Sequence, residues 1–201
     1  VKARLVGKLV THLSAAPQSS TVEIYAPSLR SLPEGSLLIM ATLPVVDWND
    51  CLLQDLRILP KRTSDNVYAA MVMIDPFACW QDVAQLLKEA GINGLINFPP
   101  ASLIERSTTG VPVDSGRELE LRRMEWFAQL GFKILFAAGH RSEVAAAERR
   151  FGSHLDGIIH LPEEALKLSI GKEMKLVGLN DQDSSVPTFA LLDGTSAMRK
   201  T

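Results

Sequence analysis

Short apolar runs alternate with amphipathic segments through the middle of the chain. Val67–Ile74 (VYAAMVMI) predicts a strand, ended by Asp75-Pro76 because proline cannot continue a central strand. Val83, Leu86, Leu87 and Ala90 then fall at i, i+3, i+4 and i+7, one face of a helix over 78–90. Gly91 takes the left-handed position that closes it. The unit repeats. Gly94–Phe98 predicts a strand stopped by Pro99-Pro100. Ser115 and Glu118 have the spacing of a capping box and open a helix to Leu130, with Leu121, Met124, Phe127 and Ala128 inward and Gly131 closing it. Lys133–Ala138 predicts the next strand. Ser142 is the expected N-cap of a helix to Phe151 that turns Val144, Ala147 and Phe151 inward, and Gly157–Leu161 is a further strand.

Strands that are apolar on both faces and separated by helices belong to a parallel sheet covered on its faces. The expected class is therefore α/β, a TIM-barrel-like parallel βα repeat, incomplete or modified. The flanks read less sharply. Val22–Ala26 and Leu37–Leu43 predict strands, and 49–59 a helix capped by Asp47 or Asn49. Met174–Leu179 and Thr188–Leu192 are strand-like, as an edge hairpin or as two further barrel strands. No linker divides the chain, so residues 1–201 are expected to form one domain.

Composition adds exclusions. With 46% hydrophobic and 22% charged residues the chain can bury a core, and disorder is not expected. The formal net charge is −2 and no Lys/Arg cluster stands out, which argues against a nucleic-acid partner. The mixed-sign stretch Glu118–Arg123 reads as a solvated helix face. Cys51 and Cys79 form neither a disulfide framework nor a metal-ligand pair, so a reduced, cytoplasmic setting is the simplest expectation. No run of about 18 apolar residues predicts a membrane span, and Lys2, Arg4 and Lys8 interrupt the N-terminal apolar rhythm. The missing initiator Met points to a trimmed or internal fragment.

Parallel βα folds gather their chemistry at strand C-termini. The polar residues there are Asp75, Asn97, Gly139-His140 and His160. Each has a plainer reading: Asp75 as a helix cap, Asn97 bonded to loop backbone, His140 as an exposed loop residue, His160 as a satisfied core histidine. His12 and His154 read as structural or surface residues. There is no His-Glu-x-x-His, Cys/His metal spacing or Gly-x-Ser-x-Gly elbow. Ser169-Ile170-Gly171-Lys172 matches only the tail of a phosphate loop, a simple turn or a short nest of N–H groups for an anion.

Met73-Ile74-Asp75-Pro76-Phe77, followed after a helix by Gly91-Ile92-Asn93-Gly94-Leu95-Ile96-Asn97-Phe98-Pro99-Pro100-Ala101-Ser102-Leu103-Ile104, resembles a pattern of the phosphoenolpyruvate hydrolase-like TIM-barrel family. That family is related to phosphoenolpyruvate mutase and phosphonopyruvate hydrolase. Ile24-Tyr25, Glu118–Gly131, Phe136–Ala145, Asp156–His160 and Ser169-Ile170-Gly171 extend the resemblance more weakly, over about residues 20 to 172. It implies a small phosphorylated or carboxylated acid as ligand and a hydrolase- or lyase-type reaction. It further implies that Asp75 holds Mg²⁺ or orients substrate, that Asn97, Ser169 and Gly171 bind substrate oxygens, and that His140 or His160 moves a proton.

The chain also departs from the family. An acidic loop is replaced by Thr109–Gly116, a polar strand end by Tyr25-Ala26-Pro27-Ser28-Leu29-Arg30, and a glycine-rich turn by His160-Leu161-Pro162-Glu163-Glu164. The family's first strand has no match, so a first βα unit is expected to be absent. Two readings follow: a barrel that binds and turns over a small anionic metabolite, or a non-catalytic barrel that binds a protein partner or regulates. A missing strand would expose edges that association covers, so a homo-oligomer is expected, with Trp48, Trp80 and Trp126 either at the interface or in the core.

Overall fold

The computed structural model describes residues 6–14, 21–31, 46–62, 66–104, 114–161 and 186–193. Among the described residues, seven parallel strands run in chain order round a closed barrel. They are β1 (Val6–Val10), β2 (Thr21–Tyr25), β3 (Val67–Met71), β4 (Gly94–Asn97), β5 (Lys133–Ala138), β6 (Leu155–His160) and β7 (Thr188–Asp193). Helices α1 (Trp48–Ile58), α2 (Trp80–Ala90), α3 (Asp114–Gln129) and α4 (Arg141–Phe151) follow β2, β3, β4 and β5.

The expected α/β parallel barrel is present, with one correction: Val6–Val10, read from sequence only as an apolar rhythm, is a barrel strand. Of the two readings of the C-terminal segment, Thr188–Asp193 follows the barrel-strand one: it pairs in parallel with β6, Ile158 opposite Thr188, and with β1, Leu9 opposite Asp193. That second pairing closes the ring and leaves no sheet edge among these strands to cover. The strands expected at 37–43 and 174–179, and the side chain of Ser115, lie outside the described residues.

Alternation along the strands sorts their side chains into two cores. Val67, Ala69, Met71, Leu95, Ile134, Phe136 and Ile158 face outward and pack beneath the helices with Leu52, Val83, Leu87, Met124, Phe127 and Ala147. Leu9, Ile24, Tyr68, Ala70, Ile96, Leu135, Ala137, Ile159, Phe189 and Leu191 fill the barrel. Burial on both faces is why the strands read as near-continuous apolar runs. Trp80, Trp126 and Phe132 pack edge-on around Phe127, with centroids at 6.1, 4.9 and 5.5 Å. Trp48 is buried, while Trp80 and Trp126 are partly buried against the outer core.

The helix ends follow local chemistry. Asp47 caps α1 by accepting from the Asp50 N–H at 2.9 Å. Gly91 closes α2 at φ 74°, where a Cβ would fall 2.0 Å from the Arg62 carbonyl oxygen. The cap of α4 is His140 rather than Ser142. The helix starts earlier because Glu143, its third residue, reaches back to accept from the Gly139 and His140 N–H groups at 2.7 and 3.3 Å.

Glycine makes room inside the barrel. A Cβ on Gly94 would meet the Tyr68 ring at 2.6 Å, and one on Gly157 the Phe189 ring at 2.2 Å. At the other end, after the strand C-termini, Leu29, Trp48, Phe98, Leu103 and Leu161 continue the inner core. The Trp48 indole N–H donates to the Ala70 carbonyl at 3.1 Å, and the Ser28 hydroxyl to the Trp48 carbonyl at 3.1 Å. These side chains fill the barrel mouth.

Gly157→Ala and Gly94→Ala are expected to lower unfolding free energy by about 1–3 kcal/mol each through overpacking. Gly139→Ala, whose Cβ would have no neighbour closer than 3.6 Å, is expected to change it by less than about 0.5 kcal/mol. Urea denaturation of the three variants checks the contrast, and equal losses would contradict it.

Candidate functional site

Two of the polar strand ends are bound into the scaffold. Asp75 Oδ1 accepts from the Phe77 N–H at 2.8 Å, and Oδ2 from the Asn49 side-chain amide at 2.9 Å. Asn49 is buried and also exchanges hydrogen bonds with the Val72 N–H and C=O, both at 3.0 Å. Arg123 donates to the Met73 carbonyl and, at 2.8 Å, to the Asp75 carbonyl, with its guanidinium 4.7 Å from the Trp80 ring centroid. Asp75 therefore fastens the loop between β3 and α2.

Asn97 is fully buried. Its Nδ2 donates to the Ala137 carbonyl at 3.0 Å, and its Oδ1 accepts from the Ala137 N–H at 2.7 Å. The β4–β5 ladder ends at Ile96 opposite Leu135, so this side chain adds one more rung. Among the described residues no three His, Cys, Asp or Glu group together as metal ligands. With both Asp75 oxygens already accepting hydrogen bonds and no second carboxylate grouped with it, the described residues do not fit a divalent-ion site there.

The charges at the end of β2 also satisfy one another. The Tyr25 hydroxyl donates to Asp55, and Arg30 pairs with the same carboxylate, one contact being Nη1 to Oδ1 at 3.2 Å. Arg30 Nε donates to the Thr11 carbonyl at 3.1 Å. Burial pushes the Asp55 carboxyl up, but the hydrogen bonds from Arg30 and Tyr25 outweigh it and hold Asp55 below the usual carboxylate range. Burial, then the Asp55 contact, raises the Tyr25 phenol.

The tops of β4, β5 and β6 differ. Among the described residues, the buried side-chain atoms without a hydrogen-bond partner are Ser102 Oγ, Arg117 Nε, Glu143 Oε1 and His160 Nδ1. All four belong to one neighbourhood around Gly139. A Cβ on Gly139 would lie 3.6 Å from Ser102 Oγ and 3.7 Å from both Glu143 Oε2 and the Leu161 carbonyl. His160 stands beside Ala138 in the β5–β6 ladder. Arg117 Nε approaches Glu143 Oε1 to 3.4 Å as an ion pair without hydrogen-bond geometry. Strand alternation turns His160 and Asn97 outward to the helices, opposite in sense to Ile159 and Ile96.

A cleft of about 170 Å³ lies between α3 and α4, lined by Arg117, Glu120, Leu121, Phe136, Ser142, Glu143 and Ala146. Glu120 is buried and accepts from the Ala101 N–H at 2.9 Å. The Glu118–Arg123 stretch is thus not wholly a solvated face. Glu118 and Arg122 pair at 3.0 Å on the surface, while Glu120 turns inward. Of the residues expected from sequence, His140 and His160 flank this cluster, Asp75 and Asn97 serve backbone elsewhere, and Ser169 and Gly171 lie outside the described residues. Sequence reasoning passed over Ser102, Arg117, Glu120 and Glu143. Glu143 carried a signal, since it stands three residues after His140, the capping-box spacing.

Buried polar groups without hydrogen bonds cost free energy; here Arg117 Nε and Glu143 Oε1 offset part of that cost by pairing with each other, whereas no hydrogen bond reaches Ser102 Oγ or His160 Nδ1. Burial is the largest influence on His160 and lowers its imidazole pKa. The Gly139 backbone opposes this, the charges of His140 and Arg141 reinforce it, and Glu143 opposes it again. Because the folded value lies below the unfolded one, near 6.5, the unfolded chain binds the extra proton. Stability is therefore full above about pH 6.5 and falls as pH drops from there through the folded pKa. Urea midpoints of the wild type should decline across that interval, and His160→Asn should flatten the decline. An unchanged slope would remove His160 as its source.

No protein-family model matches the chain. Comparison with curated proteins finds similarity to an uncharacterized protein, y4oT, of Sinorhizobium fredii, 31% identical over 99 residues. The match takes in 48% of this chain and 50% of that protein, so the chain spans about half the length of the curated relative it matches.

Proposed function

We propose that this barrel binds a small carboxylated or phosphorylated acid at the polar cluster above β4–β6, as a divergent phosphoenolpyruvate hydrolase-like barrel with catalysis reduced or lost. The observation that carries the reading is the gathering of buried polar atoms without hydrogen bonds around Gly139 beside a cleft of about 170 Å³. A small anion can accept from Arg117 and Ser102, and a low-dielectric setting strengthens such charge-assisted bonds. His160, its proton affinity lowered by burial, is suited to a neutral hydrogen-bonding role near pH 7.

Binding is favoured over turnover because the described residues fill the axial mouth with Trp48, Phe98, Leu29, Leu103 and Leu161. Asp75 and Asn97, which the resemblance would place on substrate, are engaged by backbone and by Asn49. The ligand position is consequently displaced from the axis toward the helices.

Thermal-shift titration with phosphoenolpyruvate, phosphonopyruvate, oxaloacetate and simple carboxylates, each with and without Mg²⁺, tests the proposal. At a concentration ten times Kd a true ligand should raise Tm by about 3–6 °C for a domain of this size. Arg117→Met should lose the shift and Asp75→Ala should retain it. No shift for any acid at millimolar concentration would sink the proposal, and loss in Asp75→Ala with retention in Arg117→Met would move the site to β3.

A further inference from the structure

The cleft between α3 and α4 combines charges that are already matched with an apolar wall. From that contrast we infer that it is a second binding site, for an uncharged and largely apolar molecule about the size of one carbocyclic ring bearing a hydroxyl. The inference goes beyond the acid reading and does not depend on it, since the acid is placed at the polar cluster around Gly139.

The charged lining is engaged from within. Glu143 accepts from the Gly139 and His140 N–H groups with Oε2, and its Oε1 pairs with Arg117 Nε at 3.4 Å. Glu120 is buried and accepts from the Ala101 N–H at 2.9 Å. A charged ligand would give up its hydration for a site whose counter-charges are already taken. A desolvated charge without a partner is costly. An uncharged ligand escapes that penalty and leaves the Arg117–Glu143 pair intact.

The rest of the lining sets shape and polarity. Leu121 of α3 and Ala146 of α4 are half-buried, and Phe136 of β5 reaches the cleft from the sheet. The short Ala146 side chain leaves space between the helices. Covering these groups releases water from apolar surface, which is the source of affinity in such a pocket. The volume of about 170 Å³ is close to that of an apolar cavity of about 150 Å³ that binds benzene, so one ring fits. Ser142, exposed at the start of α4 and also on the lining, offers a neutral hydroxyl to a hydroxyl on the ligand.

Benzyl alcohol, benzoate and benzylammonium share one ring and differ in charge. Titrating the full chain with each, read from the methyl NMR signals of Leu121 and Ala146, tests this. Benzyl alcohol should shift both signals saturably. Each ion should bind at least about tenfold more weakly, the cost of desolvating a charge without a partner. Arg117→Met removes the counter-charge of Glu143, so in that variant benzylammonium should gain at least about tenfold relative to benzyl alcohol. Ala146→Leu, which fills the cleft without altering a charge, should lose benzyl alcohol while the circular dichroism spectrum stays that of the wild type. If benzoate or benzylammonium binds the wild type as tightly as the alcohol, or Arg117→Met brings no gain, the uncharged assignment falls. If neither wild-type signal moves at tens of millimolar benzyl alcohol, or Ala146→Leu folds and still binds it, the cleft is not the site. The wild-type signals decide this even where Ala146→Leu does not fold.

Discussion

Closing seven strands into a ring leaves a narrow interior. An eight-stranded barrel already has a lumen that side chains just fill, and one strand fewer leaves less. The sequence meets this with glycine opposite aromatic rings, Gly94 beneath Tyr68 and Gly157 beneath Phe189. The same economy extends to the mouth, where Trp48 and Phe98 pack at 6.0 Å. An interior filled from end to end has no room for a ligand on its axis. Among the described residues, the buried side-chain atoms without a hydrogen bond gather instead around Gly139, off the axis and toward the helices.

What holds that outer layer is a set of side chains bonded to backbone. Asn97 extends the β4–β5 ladder, Asn49 and Arg123 hold the β3–α2 loop, and Glu143 caps α4 with one oxygen. Glu143 thus has two duties split between its oxygens: Oε2 fixes the helix start, and Oε1 faces Arg117 and the cleft. The helix cap thus holds Glu143 by one oxygen and leaves the other turned to Arg117 of the neighbouring helix. Arg150 adds a brace on the outside, bonding Glu118 and Glu125 of α3 from α4 at 2.9–3.0 Å and so fixing the helices that flank the cleft.

Much of the scaffold was legible in sequence. Apolar runs broken by Asp-Pro and Pro-Pro marked β3 and β4, and helical periodicity with a closing glycine marked α2 and α3. β1 was missed because its five residues include a glycine and a lysine and no helix signal follows closely, so the run looked like an isolated rhythm. The site was less legible. Polar residues at strand ends looked equivalent in one dimension, but alternation decides whether each faces the axis or the helices, and hydrogen bonding decides whether it is available. Asn97 and Asp75 failed on the second count. Arg117 and Glu120 were hidden because charges three residues apart on a helix look the same whether they meet solvent or a neighbouring helix.

The closure of the ring by parallel strands also sets the polarity of the molecule at its two sequence limits. β1 and β7 are neighbours running the same way, so Val6 lies at the end of the barrel remote from the polar cluster, and Asp193 at the end that carries it. Polypeptide joined ahead of β1 departs from the floor of the barrel, while polypeptide that continues past β7 starts its path on the rim beside the strand C-termini. A tether at one limit would hold the cleft away from its attachment point, and a tether at the other would bring it close.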